Sequence, residues 1–266
     1  MRPLAAMPAA ACKAMRGVLA DIDDTLSTAG RITAGAYAAM ERLRTAGLWF
    51  IPITGRPAGW CDHIARMWPV DAIVGENGAL YMIHDQRAGR LRRSFAATER
   101  ERAANRQRLA EIGAMILRDV PGAALASDQA YRETDLAIDF CEDVPRLPAE
   151  AVDRIVALMR AAGMTAKVSS IHVNGWFGAY DKLAMTRILL REEFGVDLDA
   201  ERDRFVFIGD SPNDAPMFEY FPYAVGVANV RDFGGRIPRL PAYVTAGESG
   251  AGFAELVEHL VSARSA

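Results

Sequence analysis

The chain has 266 residues, of which 51% are hydrophobic and 24% charged, which is enough apolar material for a sizeable core and too much for a disordered tail. Its 31 Lys and Arg against 34 Asp and Glu leave a formal net charge of -3, without the basic excess that a nucleic-acid partner demands. No apolar run approaches the roughly 20 residues that span a bilayer, so neither nucleic acid nor membrane is an expected partner.

Three widely spaced cysteines, Cys12, Cys61 and Cys141, form no CxxC pair. That argues against a disulfide framework or a structural zinc site, and for a reducing, cytoplasmic setting. The first fourteen residues, MRPLAAMPAAACKA, are Ala-rich and interrupted by two prolines. They read as a floppy extension, or as an upstream start ahead of Met15, rather than as a signal peptide.

Gly17 to Ala20 is a short apolar run read as a buried strand, and Thr33 is a candidate N-cap for a helix stopped by Gly47. LWFIPI reads as a second strand, Pro57 opens a helix that ends near Met67, and Asp71 to Val74 is a third strand. After about Tyr81 a hairpin-like stretch precedes an Arg-rich helix near Thr98 to Arg118. Asp135 to Cys141 alternates as a half-buried strand would, Pro148 opens a helix closed by Gly163, and Lys167 to Phe177 holds one or two further strands. From Asp181 the strand–helix alternation returns, with a helix over Lys182 to Phe194, a buried strand over Phe205 to Gly209, a short helix after Asn213, strands near Tyr223 to Val227 and Ala242 to Thr245, and a closing helix from about Gly252. Alternation of this kind predicts an α/β fold with a parallel, Rossmann-like sheet. A core over 15–83 and 179–266 is interrupted by an α+β module over 84–178.

Polar residues follow the apolar runs at the strand ends, where open parallel sheets bind ligands. The first run gives Asp21-Ile22-Asp23-Asp24-Thr25, the second Thr54-Gly55-Arg56, the last Asp210-Ser211-Pro212-Asn213-Asp214, and Lys182 opens the helix after the inserted module. Carboxylates with one Lys and one Thr suit a hard divalent cation such as Mg²⁺ together with a phosphoryl group. In Asp21-x-Asp23, the first carboxylate can attack phosphorus and the second can protonate the leaving oxygen and then activate water.

The segments VLADIDDTL, ITGRP, Lys182 in AYDKL, and IGDSPNDAPMF resemble, in order, the four motifs of the haloacid dehalogenase superfamily of phosphohydrolases. VGENGAL is similar to a segment of its IIB branch, which carries a large α/β cap between motifs II and III and includes sugar-phosphate and mannosyl-3-phosphoglycerate phosphatases. The motifs cover residues 17–83 and about 179–260. The resemblance implies Asp21 as nucleophile and metal ligand, Asp23 as general acid/base with its backbone carbonyl on the metal, Thr54 and Lys182 on the phosphoryl oxygens, and Asp210 as a further ligand. Asp214 would ligate the metal or orient its waters. Gly55 and Asn213, inside motifs II and IV, count with the substrate-binding residues. The family's usual glycine after the second motif I aspartate is Asp24 here.

Plainer readings stand beside these. Thr54 and Asp214 could cap helices, and Lys182 could be a solvated helix residue. The arginines from Arg87 to Arg108 could be a solvated face partnered by Glu99, Glu101 and Glu111, or a wall that attracts an anionic substrate. His172 and Asn174 share one strand face, followed by Trp176, and either recognise a sugar or pack; Arg56 could reach the substrate too. The expected activity is Mg²⁺-dependent hydrolysis of a small phosphorylated metabolite, a sugar phosphate or phosphoglycerate derivative, through an aspartyl-phosphate. A phosphomutase and a receiver-like phospho-accepting module are the alternatives.

Overall fold

The computed structural model describes residues 1–265. The chain enters through β1 (Arg2–Pro3) and α1 (Ala9–Ala14), then the fully buried strand β2 (Gly17–Ala20). A small hairpin, β3 (Ser27–Thr28) and β4 (Arg31–Ile32), precedes α2 (Ala34–Thr45), whose N-cap Thr33 accepts a hydrogen bond from the Ala36 amide. β5 (Trp49–Pro52) leads to α3 (Ala58–Met67). β6 (Ile73–Gly75), β7 (Leu80–Asp85) and β8 (Arg90–Phe95) follow.

Next come α4 (Glu99–Asp119), β9 (Ala124–Leu125), β10 (Asp135–Asp139), α5 (Ala149–Ala161), β11 (Thr165–Val168) and β12 (His172–Trp176). The last third holds α6 (Lys182–Phe194), α7 (Leu198–Glu201), β13 (Phe205–Gly209), α8 (Ala215–Tyr220), β14 (Val225–Gly226), β15 (Tyr243–Val244) and α9 (Ser249–Ser265).

The main sheet has the order β1-β15-β14-β13-β2-β5, every pair parallel. Burial on both faces explains why its long strands read as continuous apolar runs rather than alternating ones. One face packs Val18, Phe50 and Ile208 against Met40, Leu43 and Phe253 of α2 and α9; the other packs Leu19, Ile51 and Phe207 against Leu189 and Phe218 of α6 and α8. β13 lies beside β2 with Ile208 opposite Ala20, so the residues that leave these two strands, Asp210 and Asp21, emerge side by side.

The expected third strand, β6, meets the main sheet only through a parallel bridge between Ile53 and Val74; its main partner is β7, in the antiparallel sheet β6-β7-β8. β7 runs across position 83/84, and β8 packs through Leu91 and Phe95 onto the core. The inserted module has its own antiparallel sheet, β11-β12-β10-β9, covered by α4 and α5 through Leu109, Ile116, Ile155 and Met159.

Two local expectations are corrected. The first fourteen residues are no loose extension: β1 pairs with β15, Arg2 donates to the Tyr243 hydroxyl at 2.6 Å, and Leu4, Met7 and Cys12 are buried. Without β1, the edge strand β15 would leave its backbone groups unpaired. β10 is buried at all five positions rather than half-buried. Its polar face is satisfied internally, with Asp135 ion-paired to Arg132, and Asp139 accepting from the amides of Cys141, Glu142 and Asp143. Among the described residues no helix is long and apolar enough to cross a membrane, and Cys12, Cys61 and Cys141 are free thiols.

Candidate active site

The turns after β2, β5 and β13 and the start of α6 converge at the carboxyl end of the main sheet. Lys182 Nζ lies 2.6 Å from Asp21 Oδ1 and 2.7 Å from Asp214 Oδ1, with all three side chains buried. Oxygens of Asp21, Asp210 and Asp214 lie within 4.8 Å of one another. Asp210 Oδ1 accepts from Thr25 Oγ1 at 3.1 Å, whereas Asp210 Oδ2 is buried without a partner. Asp214 is fully engaged: Oδ1 holds Lys182, and Oδ2 accepts from the amides of Asp210 and Ser211.

Burial pushes the Asp21 carboxyl up to about 8, against the pull of Lys182 and with Asp214 and Asp23 adding to the rise. Asp210 is raised well above the carboxylate range, by burial first and then by Asp21 and Asp214. Burial works against the Lys182 charge, but the two aspartates outweigh it and hold its pKa above the ordinary lysine value. The all-oxygen chemistry of this buried acid cluster, with one carboxylate oxygen that accepts no hydrogen bond, fits Mg²⁺.

Two glycines make the convergence possible. Gly78 has φ +104°, and a Cβ on it would overlap the Asp181 carbonyl, so the chain that delivers Lys182 passes directly against it. A Cβ on Gly209 would overlap the Asp214 carboxylate, which folds back under the strand end. Asp24, where the family has glycine, sits at φ +55°, in the left-handed region that aspartate tolerates better than most residues. Glu76 and Asn77 also have positive φ. This left-handed run lets the Asn77 amide reach the Thr54 carbonyl, and puts Asn77 Oδ1 3.4 Å from Asn213 Nδ2.

The other expected residues are distributed as follows. Thr54 is fully buried and does not cap α3, whose N-cap is Pro57; its Oγ1 accepts from the Arg56 amide, which leaves its proton available to donate. A narrow cleft of ~10 Å³, about the space of one water, is lined from the core by Asp21, Asp23, Gly55, Arg56 and Asn213. Its other wall, from the inserted module, is Ser169, Ser170, Ile171, His172 and Asn174. Trp176 is not in that wall: it donates to the Tyr180 carbonyl and stacks on the Tyr180 ring.

None of the arginines from Arg87 to Arg108 lines the cleft. Arg92 pairs with Glu193, Arg102 lies over Phe95, and Arg108 over Phe177. Nor are Glu101 and Glu111 their partners, because Glu101 forms a capping box with Thr98 and Glu111 accepts from Gln107.

Sequence reasoning missed Asp128 and Glu142, two of the three carboxylates that surround Arg56. Its guanidinium donates to Asp23 from Nε (3.0 Å) and Nη2 (2.8 Å), to Glu142 Oε1 at 2.6 Å and to Asp128 Oδ2 at 3.2 Å, and it stacks on Trp60. His172 Nε2 lies 2.8 Å from Glu142 Oε2. Burial pushes the Glu142 carboxyl up, but His172 and Arg56 outweigh it and bring it down to about 2. Glu76 was also missed: its carboxylate accepts from the amides of Ala58, Glu133 and Thr134 and from the Thr134 hydroxyl, and so ties α3 to the inserted module. Partners separated by 57 to 86 positions leave no periodic signal; for Glu76, the VGENG segment was the available hint.

No family model matches the chain. It is 24% identical over 252 residues to the phosphoglycolate phosphatase of Methanosarcina mazei, covering 93% of this chain and 97% of the relative. Among solved structures it resembles a protein of Thermoplasma acidophilum, with a TM-score of 0.68 at 19% identity, covering 92% of this chain and 98% of that one. It also resembles the haloacid dehalogenase subclass IIB sugar phosphatase BT4131, with a TM-score of 0.62 at 14% identity and coverages of 92% and 98%. The chain thus has the fold of the haloacid dehalogenase superfamily, inserted cap included.

Proposed function

We propose that the protein is a Mg²⁺-dependent phosphatase that hydrolyses a small phosphomonoester through an aspartyl-phosphate on Asp21. The observation that carries this reading is the buried Asp21–Lys182–Asp214 arrangement beside the orphaned Asp210 oxygen. Similarity to phosphatases over nearly the whole chain supports it.

Asp21, Asp210 and the Asp23 backbone carbonyl would hold Mg²⁺, with Asp214, whose oxygens are already engaged, orienting its waters. When bound, the cation supplies charge neutralisation that lets a phosphate dianion approach the carboxylates. The Asp21 carboxylate forms an oxygen–phosphorus bond as the bond from phosphorus to the alcohol breaks, and Asp23 gives the departing oxygen its proton. Water deprotonated by Asp23 then attacks phosphorus, which releases phosphate and regenerates Asp21. Lys182 and the Thr54 hydroxyl stabilise the charge on the transferring oxygens. Asp23 is held by Arg56 in the described state, so it must leave that pair before it can act as an acid. A ~10 Å³ cleft has room for about one water, so on this reading the cap would open to admit substrate and close to exclude water.

The test is a panel of phosphorylated metabolites with Mg²⁺, read as released phosphate. Turnover that stops with a chelator and in Asp21→Asn, while the variant remains folded, is the expected result. Near wild-type turnover in Asp21→Asn would overturn the mechanism.

A further inference from the structure

A second cavity lies outside the cleft, at the junction of α3 and the inserted cap. It has a volume of about 480 Å³, within the roughly 300–1,000 Å³ of small-molecule sites. Trp60, Ile64 and Trp68 line it from the core, and Tyr131 from a turn of 3-10 helix over Gln129–Tyr131 in the cap. That turn can close on α3 only because residue 59 is glycine: a Cβ there would come within 2.9 Å of the Tyr131 Cβ. Trp60 and Tyr131 nevertheless stay 41% and 59% exposed. Large rings grouped around one cavity and left open to water mark an interaction site.

An adjoining cavity of about 660 Å³ shares Gly59, His63 and Tyr131 with the first and carries charge. Its acids are matched: Asp62 pairs with Arg66 at 2.7 Å, and Glu133 with Arg106 at 3.6 Å. The buried Arg132 guanidinium is bonded to Asp128, Asp135 and the Gly55 carbonyl. Arg93 is left, exposed on β8, and its guanidinium has no ion pair or hydrogen bond among the described residues. One unmatched positive charge therefore stands beside a set of aromatic rings. A planar ring that stacks there while its own negative group reaches Arg93 satisfies both halves.

We propose that this groove is a binding site, separate from the catalytic cleft, for small aromatic anions: a planar ring that bears a phosphate or a carboxylate. Its occupant touches the core through Trp60 and the cap through Tyr131, and so holds the two together. Trp60 also stacks on the Arg56 guanidinium at 4.4 Å, and that guanidinium holds Asp23. A ligand on Trp60 is thus one ring away from the residue that must release the general acid. On the phosphatase reading, an occupied groove slows turnover, because the cap must open in each cycle.

The probes are cyclic AMP and indole-3-acetate, which join a ring to a phosphodiester or a carboxylate and contain no phosphomonoester. Adenosine and sulfate supply the ring and the charge alone. Calorimetry should show saturable binding of at least one of the two anions with a Kd below about 1 mM, and adenosine and sulfate should bind about tenfold more weakly or worse. Which anion binds distinguishes phosphate from carboxylate. Arg93→Gln and Tyr131→Ala, neither of which lines the cleft, should each weaken binding by about tenfold or more and leave turnover without the probe at the wild-type level. With the probe, kcat should fall and excess substrate should not restore it. Binding of neither anion, or binding unchanged in either variant, overturns the inference. So does a dimer that Tyr131→Ala converts to monomers, because a second copy then covers the groove. Binding that leaves the kcat of an active enzyme unchanged overturns the bridging role. None of these results touches the phosphatase reading, whereas binding in the expected order with no phosphate released from any substrate overturns that reading and keeps the site.

Discussion

Lys182 Nζ lies 2.6 Å from Asp21 Oδ1 although 161 positions separate the two residues. The ammonium is the only positive charge bonded to either Asp21 or Asp214 among the described residues. Lys182→Met would leave two buried carboxylates without their partner, a change that costs about 3–5 kcal/mol. Denaturant unfolding should show that loss, together with turnover reduced to background. An unchanged midpoint would mean that the pair contributes nothing to the fold.

The orphaned Asp210 oxygen gives a metal prediction that needs no substrate. Mg²⁺ that binds only the folded state raises stability by about 2.7 kcal/mol at a hundredfold excess over its dissociation constant. Thermal unfolding of the wild type should therefore shift upward with added Mg²⁺, and that of Asp210→Asn should hardly move. Equal shifts in both proteins would remove Asp210 from the metal site.

Gly78 tests the delivery of Lys182. Alanine at φ +104° would meet the Asp181 carbonyl, and the combined strain and overlap should cost about 2 kcal/mol or more. Because the displaced segment is the start of α6, kcat should fall even under conditions where the variant is fully folded. Stability and kcat at wild-type levels in Gly78→Ala would show that the close approach is dispensable.

Glu76 gives the cap–core junction a pH dependence. Burial, with Asp135 adding to it, raises its carboxyl from an ordinary 4.5 to about 7. The folded protein then holds the proton more tightly than the unfolded chain, so this contribution is complete below about 4.5 and is lost as the pH rises through about 7. Unfolding free energies measured from pH 5 to 8 should fall by about 1–3 kcal/mol relative to Glu76→Gln over that span. Parallel curves for the two proteins would contradict the assignment.

What could be read from the sequence follows from the range of the interactions. The strands β2, β5 and β13 of the main sheet were legible because burial on both faces makes them unbroken apolar runs, each followed by a polar residue: Asp21, Thr54, Asp210. Thr33 was legible as well, since a cap bonds within three residues. The Arg56 cluster was not, because Asp128 and Glu142 reach it across 72 and 86 positions and resemble ordinary surface acids. β1 was equally hidden: an Ala- and Pro-rich opening has no periodicity, and its partner Tyr243 is 241 positions away. The Arg-rich stretch left two readings open for the opposite reason, as composition gives charge without direction; none of its arginines lines the cleft.

The covalent role of Asp21 is tested most directly by the configuration at phosphorus after hydrolysis of a chirally labelled phosphomonoester that the enzyme turns over. Two successive in-line displacements, first by the Asp21 carboxylate and then by water, return the original configuration. Retention is the result predicted here, and inversion, the mark of a single displacement by water, would contradict it.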